Sequence, residues 1–571
     1  MSEILIDENA EVPEIEQKSS KKIIILISAS SLIVIGLIIM VIVAFKSKSK
    51  KSLSDSDNNE FEYEISTINF PSEITYVGSH YNYQNQLLLI YQKQNSKNYF
   101  VGIANEDGKI LKEVYEVKEG EVNENDITYI HRASSFSDGK RLLIAGKILQ
   151  CSKKFFECND AKLYDLEFPE EVKKMKDLLY VFTEPIINYG GKYIFWSTFD
   201  KSMNIVSFYG ELKFEDDKYK IINAKGISNY FYDLYDKEKG TFSLPKILRT
   251  GPIKQVINGG EGLSMGSFLN YGIRKGIYQS LKKDELKQLT FYEGYDETTA
   301  ISPDGKLECV MTTRFSEHTS FDIVGLIPTP YSILTSYLLA NHLMKYSIAN
   351  IRKDETIKGN LGPSLIDLKH LEKDKNYKGI NLNTDDNWNF YGFISWSPDN
   401  KKIMFDEIHK NMVDRRCQIV KLKNYKPAEI KFVDNFNGNV PYSRTIEETI
   451  NLHLDYPINI TVNGKSGNLE IFQNQTKCEI KYNNYTEDNE IFYTGLYSYE
   501  KFPPNYSIFR VNIKSEGKKK GFCDYRLWFD LKSNIFLFDK GDDENNKSYG
   551  SCNYEGKEIK VDFYQYEKIN D

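Results

Sequence analysis

Residues 300–312 read AISPDGKLECVMT and residues 395–407 read SWSPDNKKIMFDE. Each is a tight turn that feeds an apolar strand. Pro303 and Pro398 fix φ at the second turn position, Asp304 and Asp399 can hydrogen-bond the backbone, and Gly305 or Asn400 tolerates positive φ. Weaker copies stand at SFSDGKRLLIAG around Gly139, NYGGKYIFWST around Gly191 and YQNQLLLIY around Asn85. The marks Asn85, Gly139 and Gly191 are 54 and 52 residues apart, and Gly305 to Asn400 is 95, about two such periods. A turn and strand recurring at about 40–50 residues is the mark of propeller blades, small sheets that bury their faces only against neighbours. The pattern therefore predicts a six- to seven-bladed β-propeller over residues 61–440. Turn formation explains the motif's aspartates, so none of them is assigned chemistry. One insertion, PTPYSILTSYLLANHLMKYSI from Pro328 to Ile348, carries Leu334, Leu338 and His342 at helical spacing.

On the N-terminal side, Ile23 to Phe45 runs 23 residues without a charge between flanking lysines. At 1.5 Å per residue that spans about 34 Å, enough for a hydrocarbon core of about 30 Å, so a single transmembrane helix in contact with the lipid bilayer is expected. Residues 1–22 form a short tail, and residues 46–60 a polar, serine-rich stalk. Lysines flank both ends, so charge gives almost no orientation. Five Asn-x-Ser/Thr sequons (Asn459, Asn474, Asn484, Asn505 and Asn546) and paired cysteine spacings such as Cys151 to Cys158 favour an extracellular or luminal body. On the C-terminal side the turn motif stops, and residues 441–571 continue as alternating strands, which predicts a β-sandwich-like domain. The ectodomain is thus expected to be all-β.

The 571 residues carry 74 Lys+Arg against 81 Asp+Glu, with 40% hydrophobic and 13% aromatic residues. That balance closes a large core and excludes global disorder. A net charge of −7 without a basic stretch beyond the membrane flank gives no reason to expect a nucleic-acid partner. No His/Cys cluster has metal-ligand spacing, and no metal or cofactor is assigned.

The S-P-D-[GN]-K units resemble the repeats of TolB-like propellers. Three passages go further: residues 291–331 (FYEGYDETTAISPDGKLECVMTTRFSEHTSFDIVGLIPTPY), NLGPSLIDL with WNFYGFISWSPDNKKIMFDE (360–407), and IKYNNYTEDNEIFYTG. Together they look like fungal saponin hydrolases, secreted enzymes that release a glucuronyl-containing sugar from a triterpenoid. That resemblance implies a glycoside or carbohydrate substrate.

Glycoside hydrolysis needs one carboxylic acid to protonate the leaving oxygen and a second carboxylate as base or nucleophile. Glu261 in NGGEG, Glu297 and Glu407 are the candidates, with Glu293 and Asp406 close by in sequence. Arg314 can grip a substrate carboxylate in two places, with an interblade salt bridge as its other reading. Asp296, His318 and Trp388 complete the expected substrate contacts, Trp388 by stacking on a sugar ring. Gly262 to Gly266 (GLSMG) matches a serine-hydrolase elbow, but the sequence after it reads as a hairpin, not the helix that motif needs. Two functions follow: a membrane-tethered glycoside hydrolase, or a non-catalytic propeller that binds a carbohydrate or protein at the cell surface.

Overall fold

The computed structural model describes residues 62–122, 130, 132–173, 185–199, 205–228, 235–236, 241–242, 251–268, 274–292, 295–316, 359–429, 434–450, 458–474, 476–486, 488–502, 506–530, 535–537, 549–554 and 556–560. The chain divides into two compact units, residues 1–64 and 65–571. The apolar run 23–45, its flanks, His318 and Glu293 lie outside the described residues. Among the described residues, no helix is long and apolar enough to cross a membrane.

Six four-stranded groups occur among the described residues, two of them joined in one eight-stranded sheet; in five, every strand pairs antiparallel with the next, and the sixth takes its fourth strand from the start of the chain. Blade 1 is Ile74–Tyr81, Leu87–Lys93, Tyr99–Ala104 and Ile110–Val117. Blade 2 is Ser134–Ser135, Arg141–Ile144, Lys147–Gln150 and Lys162–Glu167. Blade 3 is Ile186–Ile187, Tyr193–Phe199, Ile205–Glu215 and Lys218–Gly226, and its last strand also pairs in parallel with the last of blade 2. Blade 4 is Ile253–Ile257, Gly262–Phe268, Arg274–Ser280 and Leu286–Gln288. Blade 5 is Asp296–Ile301, Leu307–Thr312, Gly362–Asp367 and Ile380–Asn381. Blade 6 is Trp388–Trp396, Lys402–His409 and Arg415–Leu422, and Tyr63–Thr67 supplies its outer strand. Thr67 Oγ1 bonds Gln418 at 2.9 Å and the Ile68 amide donates to the Cys417 carbonyl at 3.0 Å, so the first and last parts of the ring share one sheet.

The groups close into a ring because every neighbouring pair shares a buried seam. Leu88 and Val101 of blade 1 cluster with Leu142 and Leu149 of blade 2. Leu143 and Ile148 meet Trp196 and Phe208 of blade 3. Phe195 and Tyr209 meet Leu263 and Ile277 of blade 4, and Ile257 and Leu289 meet Ile301 of blade 5. Trp396 Nε1 donates to the Ala300 carbonyl at 2.8 Å, joining blades 6 and 5. Met404 and Ile419 return to Leu87 and Leu89 of blade 1. Each fully buried aliphatic or aromatic side chain contributes about 1.5–3 kcal/mol, which no blade could gain alone. This ring is a β-propeller.

All five turn marks adopt positive φ: Asn85 at 60°, Gly139 at 68°, Gly191 at 69°, Gly305 at 72° and Asn400 at 59°. Aspartates cap three of those turns, and Asn82 and Asn188 cap the other two. Ser302 Oγ donates to Asp304 Oδ1 at 2.7 Å, and Ser397 Oγ does the same to Asp399 at 2.6 Å. Among the described residues, the 95-residue interval from Gly305 to Asn400 advances by one blade, from blade 5 to blade 6, not by two periods. Thr312 pairs with Gly362 across the inserted segment, so the added length leaves blade 5 in register.

Residues 434–450 run against blades 3 and 4. Asn188 Nδ2 donates to Asp434 at 2.7 Å, Phe436 packs on Tyr193 and Phe195, and Ile446 joins the seam of blades 2 and 3. The strands that follow, from Ile458–Asn463 to Lys557–Lys560, form one nine-stranded antiparallel sheet. The expected sandwich-like arrangement is corrected to this single hydrogen-bonded sheet, because long strands such as Ile491–Phe502 and Tyr506–Gly517 each pair with the strand before. Alternation buries Ile460, Leu469, Ile471, Ile480, Tyr482 and Val511 and turns Thr461, Glu470 and Lys481 outward. Disulfides join Cys151 to Cys158 and Cys523 to Cys552, while Cys309, Cys417 and Cys478 are buried free thiols.

Candidate functional site: the axial channel

The first strand of each blade faces the ring's axis, and all six contribute to one cavity of about 280 Å³. Pro303, Gly305 and Pro398 are among its lining residues, so the turn motif also shapes the cavity. Its polar lining includes His80, Tyr83, Arg132, Tyr189, Lys254 and Gln255, and its apolar lining includes Ile187, Ile257, Phe393 and Trp396. Among the described lining residues there is no aspartate or glutamate.

These groups are held from several blades at once. His80 Nε2 lies 2.7 Å from Ser135 Oγ, and burial pushes its imidazole down to about 4, so it stays neutral at physiological pH. Gln255 spans blades 4 and 5 with two bonds, accepting from the Ile301 amide at 2.8 Å and donating to its carbonyl at 3.1 Å. Tyr83 meets Tyr189 edge-on at 5.2 Å, and burial, with Tyr189 beside it, pushes the Tyr83 phenol up to about 12. The Arg132 guanidinium sits 5.4 Å from the centre of the Phe393 ring. Lys254 reaches back to Glu297 Oε1 at 2.9 Å, so its charge is anchored while its stem lines the cavity. A hollow with cationic, aromatic and neutral donor groups suits a ligand that carries an anionic group and hydroxyls.

The residues chosen from sequence fall elsewhere. Glu297 and Asp296 begin the inner strand of blade 5, behind the lining. Asp296 is fully buried and binds Arg314 Nη2 at 2.8 Å, and the same guanidinium donates to Thr312 Oγ1 and to the Lys378 carbonyl, each at 3.1 Å. Glu407 lies on the second strand of blade 6, held by Arg416 Nε at 2.6 Å and Gln418 Nε2 at 3.1 Å. Burial raises the Glu407 carboxyl above its ordinary value, against the opposing pull of Arg416. Trp388 starts the inner strand of blade 6, with Arg416 over its ring at 4.2 Å. Asp406 is buried and accepts from the Tyr76 hydroxyl. Glu261 follows the turn Asn258–Gly260, pairs with Lys282 and accepts from Asn435 Nδ2 at 3.2 Å. Three carboxylates are thus each tied to a separate cation: Glu261 to Lys282, Glu297 to Lys254, Glu407 to Arg416. The structure joins Asp296 with Arg314 and brings Glu407 and Trp388 onto one arginine, and it leaves Glu261 apart.

The GLSMG segment is the second strand of blade 4, with Ser264 fully buried, so it forms no strand-turn-helix elbow. Carboxylate chemistry alone does not point to the channel residues. The available signal was position, since residues just ahead of each turn mark belong to an inner strand.

No family model matches this chain, and no curated protein matches it. Among solved structures, it is similar to a TolB protein from Agrobacterium tumefaciens, at 12% identity over 55% of this chain and 83% of that one, with a TM-score of 0.31. It is also similar to prolyl oligopeptidase B from Galerina marginata, at 12% identity and a TM-score of 0.24, covering 59% of this chain and 47% of that enzyme. A third similarity is to Hsv2p of Kluyveromyces lactis, at 10% identity, 74% and 92% coverage and a TM-score of 0.25. At such scores the ring rests on this chain's own sheet order and seams, and the activities of those proteins stay with them.

Proposed function

We propose that the protein is a single-pass membrane-anchored propeller whose extracytoplasmic body binds a small anionic, hydroxyl-rich ligand, such as an acidic sugar, in the axial channel. The observation that carries this reading is the lining itself: Arg132 with Tyr83, Tyr189 and Trp396, and no carboxylate among the described lining residues. The glycoside hydrolase that the sequence passages resemble would need a protonated carboxylic acid beside the substrate. Glu261, Glu297 and Glu407 are each tied to a separate lysine or arginine and none of them lines this cavity, so binding without turnover is the better reading.

The test is titration of the purified full-length protein with glucuronate and with glucose. Glucuronate should bind more tightly, and Arg132→Gln should weaken it about tenfold, or about 1.4 kcal/mol. Equal binding of both sugars, or no loss in the variant, would refute the channel as an anion site. Release of sugar from a glucuronide, abolished by Glu297→Gln in a folded variant, would restore the hydrolase reading.

A further inference from the structure

We infer that the outward face of the C-terminal sheet is a site of N-linked glycosylation, with Asn459, Asn474 and Asn484 as acceptors. The inference rests on the extracytoplasmic placement proposed above. Residues 61–440 contain 29 asparagines and no Asn-x-Ser/Thr sequon, whereas residues 441–571 contain 15 asparagines and five sequons. Chance would spread sequons in proportion to asparagine, about two in the ring for each one in the sheet, so the segregation sets this sheet apart.

The structure places three of the five where a glycan fits. Asn459 is exposed on strand Ile458–Asn463, whose inward side chains Ile460 and Val462 are buried, and its sequon threonine, Thr461, is exposed beside it. Asn474 occupies the turn between Ser466–Gln473 and Lys477–Thr486. There Thr476 Oγ1 donates to Asn474 Oδ1 at 3.2 Å, so hydroxyl and amide of the sequon already face each other. Asn484 is exposed at positive φ, 49°, at an irregularity in the ladder between Tyr482 and Tyr485. A bulky, soluble sugar at these positions displaces no buried side chain, because the hydrophobic residues of the same strands point the other way.

The donor is a polyprenyl-pyrophosphate-linked oligosaccharide. The asparagine Nδ2–C1 bond forms as the bond between C1 and the pyrophosphate oxygen breaks. The amide gives up one proton, and the lipid pyrophosphate leaves with the electron pair.

The full chain is expressed in a eukaryotic secretory cell, treated with an amidase that cleaves N-glycans, and mapped for Asn-to-Asp conversion by mass spectrometry. Conversion is expected at Asn459, Asn474 and Asn484. Each of Asn459→Gln, Asn474→Gln and Asn484→Gln should lose one glycan's mass on a gel. Thr461→Val and Thr476→Ala, which leave the asparagine in place, should each do the same. Protease protection in sealed microsomes reads the side of the membrane independently. A protected body with no conversion at the three asparagines overturns the glycan site and leaves the placement standing. A body digested from outside overturns both.

Discussion

Removing the Arg314 guanidinium is a severe test of whether the Asp296–Arg314 pair belongs to the fold or to a ligand. The two side chains are 1% and 0% exposed, their contact is 2.8 Å, and Asp296 Oδ1 has no hydrogen-bond partner. Arg314→Met would take the only hydrogen-bond donor to the Asp296 side chain among the described residues and leave its charge buried, along with the abandoned Thr312 hydroxyl and Lys378 carbonyl. Losing one partner of such a pair costs about 3–5 kcal/mol, whereas replacing both with apolar residues is often close to neutral. The double variant Arg314→Met/Asp296→Leu should therefore recover most of the single variant's loss. Urea unfolding of the full-length protein, followed by tryptophan fluorescence, reads both numbers and yields their coupling energy. A single variant that loses under about 1 kcal/mol, or a double variant as unstable as the sum of its parts, refutes the structural reading. A stable single variant that loses glucuronate affinity would return Arg314 to the ligand.

Three further outcomes test other parts of the ring. Burial, with the Asp296 charge near it, pushes Glu308 up to about 8. The folded chain then keeps a proton that the unfolded chain releases, so its contribution to stability falls as pH rises from about 4.5 to about 8, by about 1.4 kcal/mol per pH unit. Glu308→Gln should remove that slope, and urea midpoints at pH 5 and pH 8 that fall equally in both proteins would contradict it. Cys151→Ser opens a loop of seven residues' separation that anchors the buried Phe155, at a cost of about 2–3 kcal/mol by the same denaturation assay. Trp396→Phe deletes the bond to the Ala300 carbonyl across the seam of blades 5 and 6 and should cost about 1–3 kcal/mol, while an unchanged midpoint would show that this seam does not depend on it.

The turn chemistry carried the ring into the sequence because it is local. A residue that must adopt positive φ in a side-chain-capped turn is fixed by a few consecutive positions, and Asn85, Gly139, Gly191, Gly305 and Asn400 all behave so, with an aspartate as cap in three turns and Asn82 or Asn188 in the other two. Blade 4 was silent for the same reason: its turn uses Asn258, Gly259 and Gly260 at φ of 53°, 64° and 86°, with no Ser-Pro-Asp to announce it. The interval from Gly305 to Asn400 misled because spacing counts residues and cannot tell an insertion from a blade, whereas the pairing of Thr312 with Gly362 can. The site was harder still. Asp296 and Glu297 do stand on an inner strand, but which side chains of an alternating strand reach the axis depends on how six sheets tilt when the ring closes. The same closure decides which acids meet a cation: Lys254 of blade 4 reaches Glu297 of blade 5 over a sequence separation of 43. An acid chosen for its chemistry alone is for that reason as apt to be a strut between blades as a catalyst.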